Sequence, residues 1–272
     1  MERYIVLEKA VGETPLESQE RYRAKHPKLA DTPMAYAGRL DPMASGKLLV
    51  LIGDECKRQE RYFGLDKEYR FEVLLGPSTD TGDVLGLVES TTSSRPNLEI
   101  NDIQKVCDKL VGKVELPYPH YSSKTVNGKP LHTWAVEGRL DEIEIPTKVS
   151  TIYKLTPEDI RTETKDTIYK YITEKIETIP AVTDPRKALG NDFRRPEIRN
   201  TWKVWHEDST LPDQYQVTTL RCIASSGTYM RTLAGEIGKA LGTEGLAYSI
   251  HRTKIGNYQK MPLIGGVWLQ QF

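Results

Sequence analysis

Apolar and polar positions alternate most cleanly over residues 67–75. Tyr69, Phe71, Val73 and Leu75 fall on one side; Glu68, Arg70 and Glu72 fall on the other. A period of two predicts a half-buried antiparallel strand. Residues 217–224 alternate in the same way, and residues 4–8, 148–155 and 249–258 read as further strands. Residues 47–52 differ, because they are apolar almost without a break up to Gly53, which predicts a strand buried on both faces. Helical spacing of Ile103, Val106, Cys107 and Leu110 predicts a helix to about Val111, capped by Asn101 or Asp102. The stripe Met230, Leu233, Ile237 and Leu241 predicts another over residues 229–241. Thr14-Pro15-Leu16-Glu17 has the form of a capping box with proline in the first turn, so a helix should run to about Lys25. Thr156-Pro157-Glu158-Asp159 shows a similar cap and predicts a helix reaching about Glu177. A short strand at residues 84–89 and a short helix at 132–138 complete the elements. Residues 180–214 hold four prolines with Trp202 and Trp205, and read as irregular.

Composition narrows the class. The 272 residues suffice for one large core, and 38% hydrophobic with 28% charged residues is ordinary for a soluble chain. No apolar run is long enough to cross a membrane, and the N-terminus lacks a secretory signal pattern, so a cytoplasmic protein is expected. Cys56, Cys107 and Cys222 are far apart and show no zinc spacing; each is expected as a buried, reduced residue. The formal charge is zero, which alone argues against nucleic acid. Its distribution is uneven: residues 72–116 carry eight acidic and four basic side chains, whereas residues 221–260 carry six basic and two acidic.

Three features carry candidate chemistry. Asp41 stands between Leu40 and Pro42, in a turn bracketed by Gly38 and Gly46 and followed by the buried strand. Pro42 steers Asp41 away from helical angles, and a carboxylate on a loop anchored to a core strand is well placed for catalysis. Pro117-Tyr118-Pro119-His120-Tyr121, with Lys124, Asn127-Gly128 and Lys129, forms a loop or hairpin of aromatics among cations, a pattern suited to unstacked RNA bases. Arg231 falls in the first turn of its helix, where the macrodipole disfavours a cation; it calls for a carboxylate partner.

In this order the motifs resemble the TruB family, the tRNA pseudouridine-55 synthases. Residues 7–12 are similar to its Asp-Lys-Pro-x-Gly segment, with Ala10 in place of proline. Gly38-Arg39-Leu40-Asp41-Pro42-Met43-Ala44-Ser45-Gly46 resembles its catalytic Gly-x-Leu-Asp-Pro-x-Ala-Thr-Gly. Lys67-Glu68-Tyr69, Thr79-Asp80-Thr81, residues 117–128, Gly227-Thr228-Tyr229-Met230-Arg231-Thr232 and His251-Arg252-Thr253 complete the set. Tyr36 stands where the family usually has histidine. No C-terminal RNA-binding domain of the PUA type is expected, and residues 156–214 form an atypical insertion.

The resemblance implies an α+β pseudouridine synthase fold: one catalytic domain over residues 1–272, with a mixed, largely antiparallel sheet, flanking helices and a central active-site cleft. It implies isomerisation of uridine to pseudouridine in the T-arm of tRNA, most specifically at position 55. The alternatives are another tRNA or ribosomal RNA site, or a non-catalytic RNA-binding module. Asp41 is the implied nucleophile, Arg231 its cation and Tyr69 the ring that stacks on the flipped uracil. Ile250 and Tyr229 would line the base site. Lys9 and Lys57 read either as phosphate contacts or as solvated lysines, and Tyr36 either as an RNA contact or as filler. Lys124 would lie along the RNA. No cofactor or metal, no membrane and no obligatory protein partner is expected, and the chain should be a monomer. Arg186, Lys187, Arg194, Arg195, Arg199 and Lys203 suggest that residues 180–214 grip the RNA.

Overall fold

The computed structural model describes residues 2–92, 97–179, 194–261 and 265–272. One sheet organises them, in the order β1 (Tyr4–Lys9), β3 (Ala44–Ile52), β12 (Gly245–Met261), β4 (Asp66–Leu75), β11 (Gln214–Ala224), β10 (Thr147–Thr164) and β7 (Gly112–Pro117). β2 (Met34–Ala37) and β13 (Gly265–Gln271) pair at its flank with β3 and β12. All pairs are antiparallel except β3 with β12, which run parallel from Ala44 beside Ile250 to Gly46 beside Arg252. The sheet is therefore mixed and largely antiparallel, as expected.

β3 is buried on both faces. Leu48 and Val50 pack with Leu7 on one side, and Leu49 and Leu51 with Ala37, Leu65 and Ile255 on the other. The larger core lies over the other half of the sheet. Phe71, Val217 and Leu220 meet α2 (Ile100–Leu110), α4 (Lys165–Thr178), α5 (Arg195–Glu207) and α6 (Met230–Ala240) there. α1 (Pro15–Ala24) begins with the capping box expected: Thr14 Oγ1 accepts from the Glu17 amide, and the Glu17 carboxylate accepts from the Thr14 amide at 2.6 Å. Two hairpins, β5 (Pro77–Thr79) with β6 (Val88–Thr91) and β8 (Thr125–Val126) with β9 (Lys129–Pro130), lead into the loops of the site, and α3 (Leu131–Val136) follows the second. Among the described residues no helix is long and apolar enough to cross a membrane.

Four expectations are corrected. α2 starts at Ile100 and is capped by Glu99, whose amide bonds the Asp102 carboxylate at 3.1 Å. The returning strand begins only at Val88, because residues 81–87 are occupied by turns around Asp83. The proline at 157 does not open a helix. β10 runs on to Thr164, with a register shift between Pro157 and Asp159, and β7 covers it only from Thr147 to Ile152. Beyond that point β10 is an edge, where a missing N–H and a bulge are tolerated. α4 starts eight residues later, capped by Thr164, whose side chain accepts from the Thr167 amide. Finally, part of the segment read as irregular is α5. Pro196 sits in its first turn and Ile198, Trp202 and Trp205 form a buried stripe at i, i+4 and i+7. Residues 180–193 lie outside the described residues.

The parallel β3–β12 contact depends on Gly46. Its φ is +107°, and an added Cβ would lie 2.3 Å from the Arg252 carbonyl oxygen. Gly46→Ala should therefore destabilise the fold by roughly 2–4 kcal/mol in urea denaturation, against roughly 0–0.5 kcal/mol for Gly64→Ala. No atom lies within 4 Å of the Cβ position at Gly64.

Candidate active site

β3 fixes the turn that carries Asp41. The Ala44 amide donates to the Asp41 carbonyl at 3.0 Å, and the Gly12 amide donates to the Pro42 carbonyl at 2.8 Å, so the turn is tied to its own strand and to the segment after β1. Two buried cations complete the clamp. Lys9, fully buried, donates to the carbonyls of Ala44 at 2.6 Å and Ala10 at 2.8 Å. Burial pulls its pKa down to about 8, with Glu13 and Asp41 working the other way. Arg252, also buried, donates Nε to the Lys47 carbonyl at 2.7 Å and its terminal nitrogens to the carbonyls of Arg39 and Gly38, both at 3.2 Å. One guanidinium thus grips the chain on both sides of Asp41.

Arg231 meets Asp41 from the first turn of α6. Its Nε donates to Asp41 Oδ2 at 2.8 Å, one terminal nitrogen donates to the Thr81 carbonyl at 2.8 Å and the other to the Tyr121 carbonyl at 3.1 Å. Asp83 Oδ2 lies 3.7 Å from Nε. Arg231 is buried, whereas the Asp41 side chain keeps 38% of its surface exposed. The arrangement holds one carboxylate rigidly while leaving it open to a ligand. Burial alone would lower the pKa of Arg231, but Asp41 and then Asp83 hold it above its ordinary value. Burial pushes the Asp83 carboxyl up to about 6, opposed chiefly by Arg231.

A cleft of about 180 Å³ opens beside this pair, lined by Asp41, Met43, Leu85, Tyr121, Ile198 and Arg231 among others. Tyr69 is half-buried on β4, opposite Arg252 in the strand register. Burial raises its pKa, and Arg252 counteracts this. Ile250 is buried, beside Ala44 on β3 and Phe71 on β4. Tyr229 caps α6 and meets the Tyr118 ring edge-on, with centroids 5.7 Å apart.

The remaining candidates are placed differently. Lys9 is neither solvated nor a surface phosphate contact, since its amine is enclosed among carbonyls. Tyr36 lies on β2, half-buried against Leu7, Leu48 and Val50. Lys57 is exposed and pairs with Asp54 at 2.7 Å. Lys124 is exposed, 5.3 Å from the Tyr118 ring centroid. Of the cations expected on the insertion, Arg194 pairs with Asp80, Arg199 with Glu177 and Lys203 with Glu207, and Arg195 donates to the Ile179 carbonyl. Arg186 and Lys187 lie outside the described residues. Among the described residues no cluster of histidine, cysteine, aspartate or glutamate could hold a metal ion.

Asp83 and Arg252 are the residues that sequence reasoning did not single out. Arg252 had a readable signal, because it continues the buried phase Leu246, Tyr248, Ile250 along β12. Asp83 had none beyond its place after a Thr-Asp-Thr run.

Residues 27–176 match the model of the TruB family pseudouridylate synthase N-terminal domain. The chain belongs to the TruB family. Among curated TruB-type relatives, tRNA pseudouridine synthase 4 of Saccharomyces cerevisiae is 31% identical over 79% of this chain and 58% of its own length. tRNA pseudouridine synthase B of Caldicellulosiruptor saccharolyticus is 30% identical over 93% of this chain and 67% of its own length. The same enzyme of Bacillus subtilis is 30% identical over 93% and 65%. The chain thus spans between 58 and 67% of the length of these TruB-family relatives. In fold it resembles a chain of a solved Cbf5–Nop10–Gar1 complex, with a TM-score of 0.54, 16% identity, and coverage of 93% of this chain and 49% of that one.

The position of Asp83 generates a pH prediction. Its folded pKa, about 6, lies above the ordinary 3.8, so the proton it holds favours the folded state at low pH. That contribution is complete below about 3.8 and is lost as pH rises through about 6. Ionised Asp83 is the second carboxylate on Arg231. Single-turnover rates should therefore fall as pH drops through about 6, and Asp83→Asn should remove that limb while lowering the plateau.

Proposed function

We propose that this chain isomerises uridine to pseudouridine in tRNA, at a uridine of the T-loop, with Asp41 as nucleophile. The observation that carries the reading is the Arg231–Asp41 pair: a buried guanidinium, itself tied to two carbonyls, presents a partly exposed carboxylate to a cleft. The curated relatives, named as tRNA pseudouridine synthases, support the substrate class.

The chemistry asks for little beyond a fixed carboxylate and an extruded base. In the proposed step the Asp41 carboxylate bonds ribose C1′ as the C1′–N1 bond breaks, the ring turns over, C5 displaces the carboxylate from C1′, and C5 loses its proton to solvent while N1 takes one up. No electron is gained or lost. Asp41 must be ionised to act, and Arg231 favours that form by charge and by hydrogen bond. Tyr69 is the proposed platform for the uracil ring and the group nearest in type to the departing C5 proton. Extruding the base costs a few kcal/mol of stacking. The loop of residues 117–128, with Tyr118 and Lys124, is proposed to offset that by holding the RNA.

Incubation with unmodified tRNA transcripts, followed by site mapping of pseudouridine, tests the reading. One modified T-loop uridine is the expected result. Modification confined to another arm, or to ribosomal RNA, would replace the proposed target, and stable tRNA binding without product would replace the catalytic reading itself.

A further inference from the structure

The helix pair α4 and α5 brings a second set of contacts to the groups that hold Arg231. Trp202 is fully buried, and its Nε1 donates to the carbonyl of Val84 at 3.1 Å. Val84 directly follows Asp83, in the same loop as Thr81, whose carbonyl accepts from Arg231. Arg194 stands at the N-terminus of α5 with φ +60°, a left-handed conformation that a side-chain-bearing residue adopts only at a cost. Two contacts hold it there: the Asp80 carboxylate at 2.5 Å, and the Tyr121 ring, whose centroid lies 4.3 Å from the guanidinium carbon. The other oxygen of Asp80 accepts from the Leu87 amide at 2.8 Å, which closes the far end of the loop. The Tyr121 carbonyl accepts from Arg231. Arg195 ties the two helices together through the Ile179 carbonyl at 2.7 Å, and Ile179 and Ile198 form part of the cleft wall.

The loop that carries the Thr81 carbonyl and the residue that carries the Tyr121 carbonyl are therefore each held from α5, the first by Trp202 at Val84 and the second by Arg194 at the Tyr121 ring. We propose that the α4–α5 pair is a positioning element of the active site, in which Trp202 and Arg194 set the orientation of Arg231 and through it that of Asp41. This rests on the functional reading above, and it assigns the pair a role other than gripping RNA. Two of the described cations on it fit that assignment, since Arg199 and Lys203 are engaged with carboxylates of α4 and α5 themselves.

Trp202→Phe keeps the ring and removes only the donor; Arg194→Gln removes the charge that Asp80 and Tyr121 hold. In single-turnover assays each should lower the isomerisation rate about 10- to 100-fold. Affinity for tRNA, and its dependence on salt, should stay at the wild-type values. Hydrogen exchange supplies a readout independent of turnover. In Trp202→Phe the amides of Leu85 and Leu87 should exchange faster, while those of β4 and β11 stay protected. Wild-type rates with wild-type exchange in both variants would overturn the proposal. So would weakened binding with a flatter salt dependence and an unchanged rate, which would make the pair an RNA contact. A wild-type protein that forms no pseudouridine in tRNA would overturn the functional reading instead, and the exchange of the Leu85 and Leu87 amides would still decide the positioning role.

Discussion

The Arg231–Asp41 ion pair is the interaction on which the rest of the site depends. A guanidinium buried in the first turn of a helix is in a poor place, because it loses water and faces the positive end of the macrodipole. The protein answers with two carboxylates, Asp41 and Asp83, and two carbonyls, from Thr81 and Tyr121. These partners come from three separate stretches of chain. Satisfying one cation therefore draws together the turn before β3, the loop after β5 and the loop before β8. The arginine needs its partners for stability, and that need orients the carboxylate for chemistry.

The same physics recurs one layer out. Lys9 and Arg252 are buried cations that donate to main-chain carbonyls. Each costs desolvation, which its bonds to carbonyls on and around the Asp41 turn offset. Arg252 also sits where β12 parts from β3, beside Gly46 in the last pair of the parallel contact. The turn is thus rigid for a reason that can be traced through named bonds, and the glycines at 38 and 46 supply the backbone angles that let the clamp close.

Much of this frame is legible in the sequence where burial imposes a period. β4, β11 and the apolar run of β3 could be read from alternation or its absence, and the stripe of α6 placed Arg231 correctly in a first turn. The need of that arginine for a carboxylate was legible too; the family resemblance, and not the local sequence, named Asp41, because the two residues are 190 apart. Failures came where local signals have two meanings. Pro157 marks a helix start equally well as a bulged edge strand, and only the short reach of β7 decides between them. Pro196 and the two tryptophans looked irregular because proline was counted as a breaker, although in a first turn it favours a helix. Lys9 reads as a phosphate contact or a solvated lysine because a lysine buried among carbonyls has no local mark.

Loss of the proton from uracil C5 gives the most direct measure of the central claim. A tRNA transcript carrying tritium at uridine C5 releases it to water only when that carbon joins the sugar. Under single-turnover conditions the wild-type protein should release tritium in proportion to enzyme, and Asp41→Asn should release none above buffer while still binding the transcript. Release by Asp41→Asn at the wild-type rate would contradict the account, because the carboxylate held by Arg231 would then take no part in the reaction.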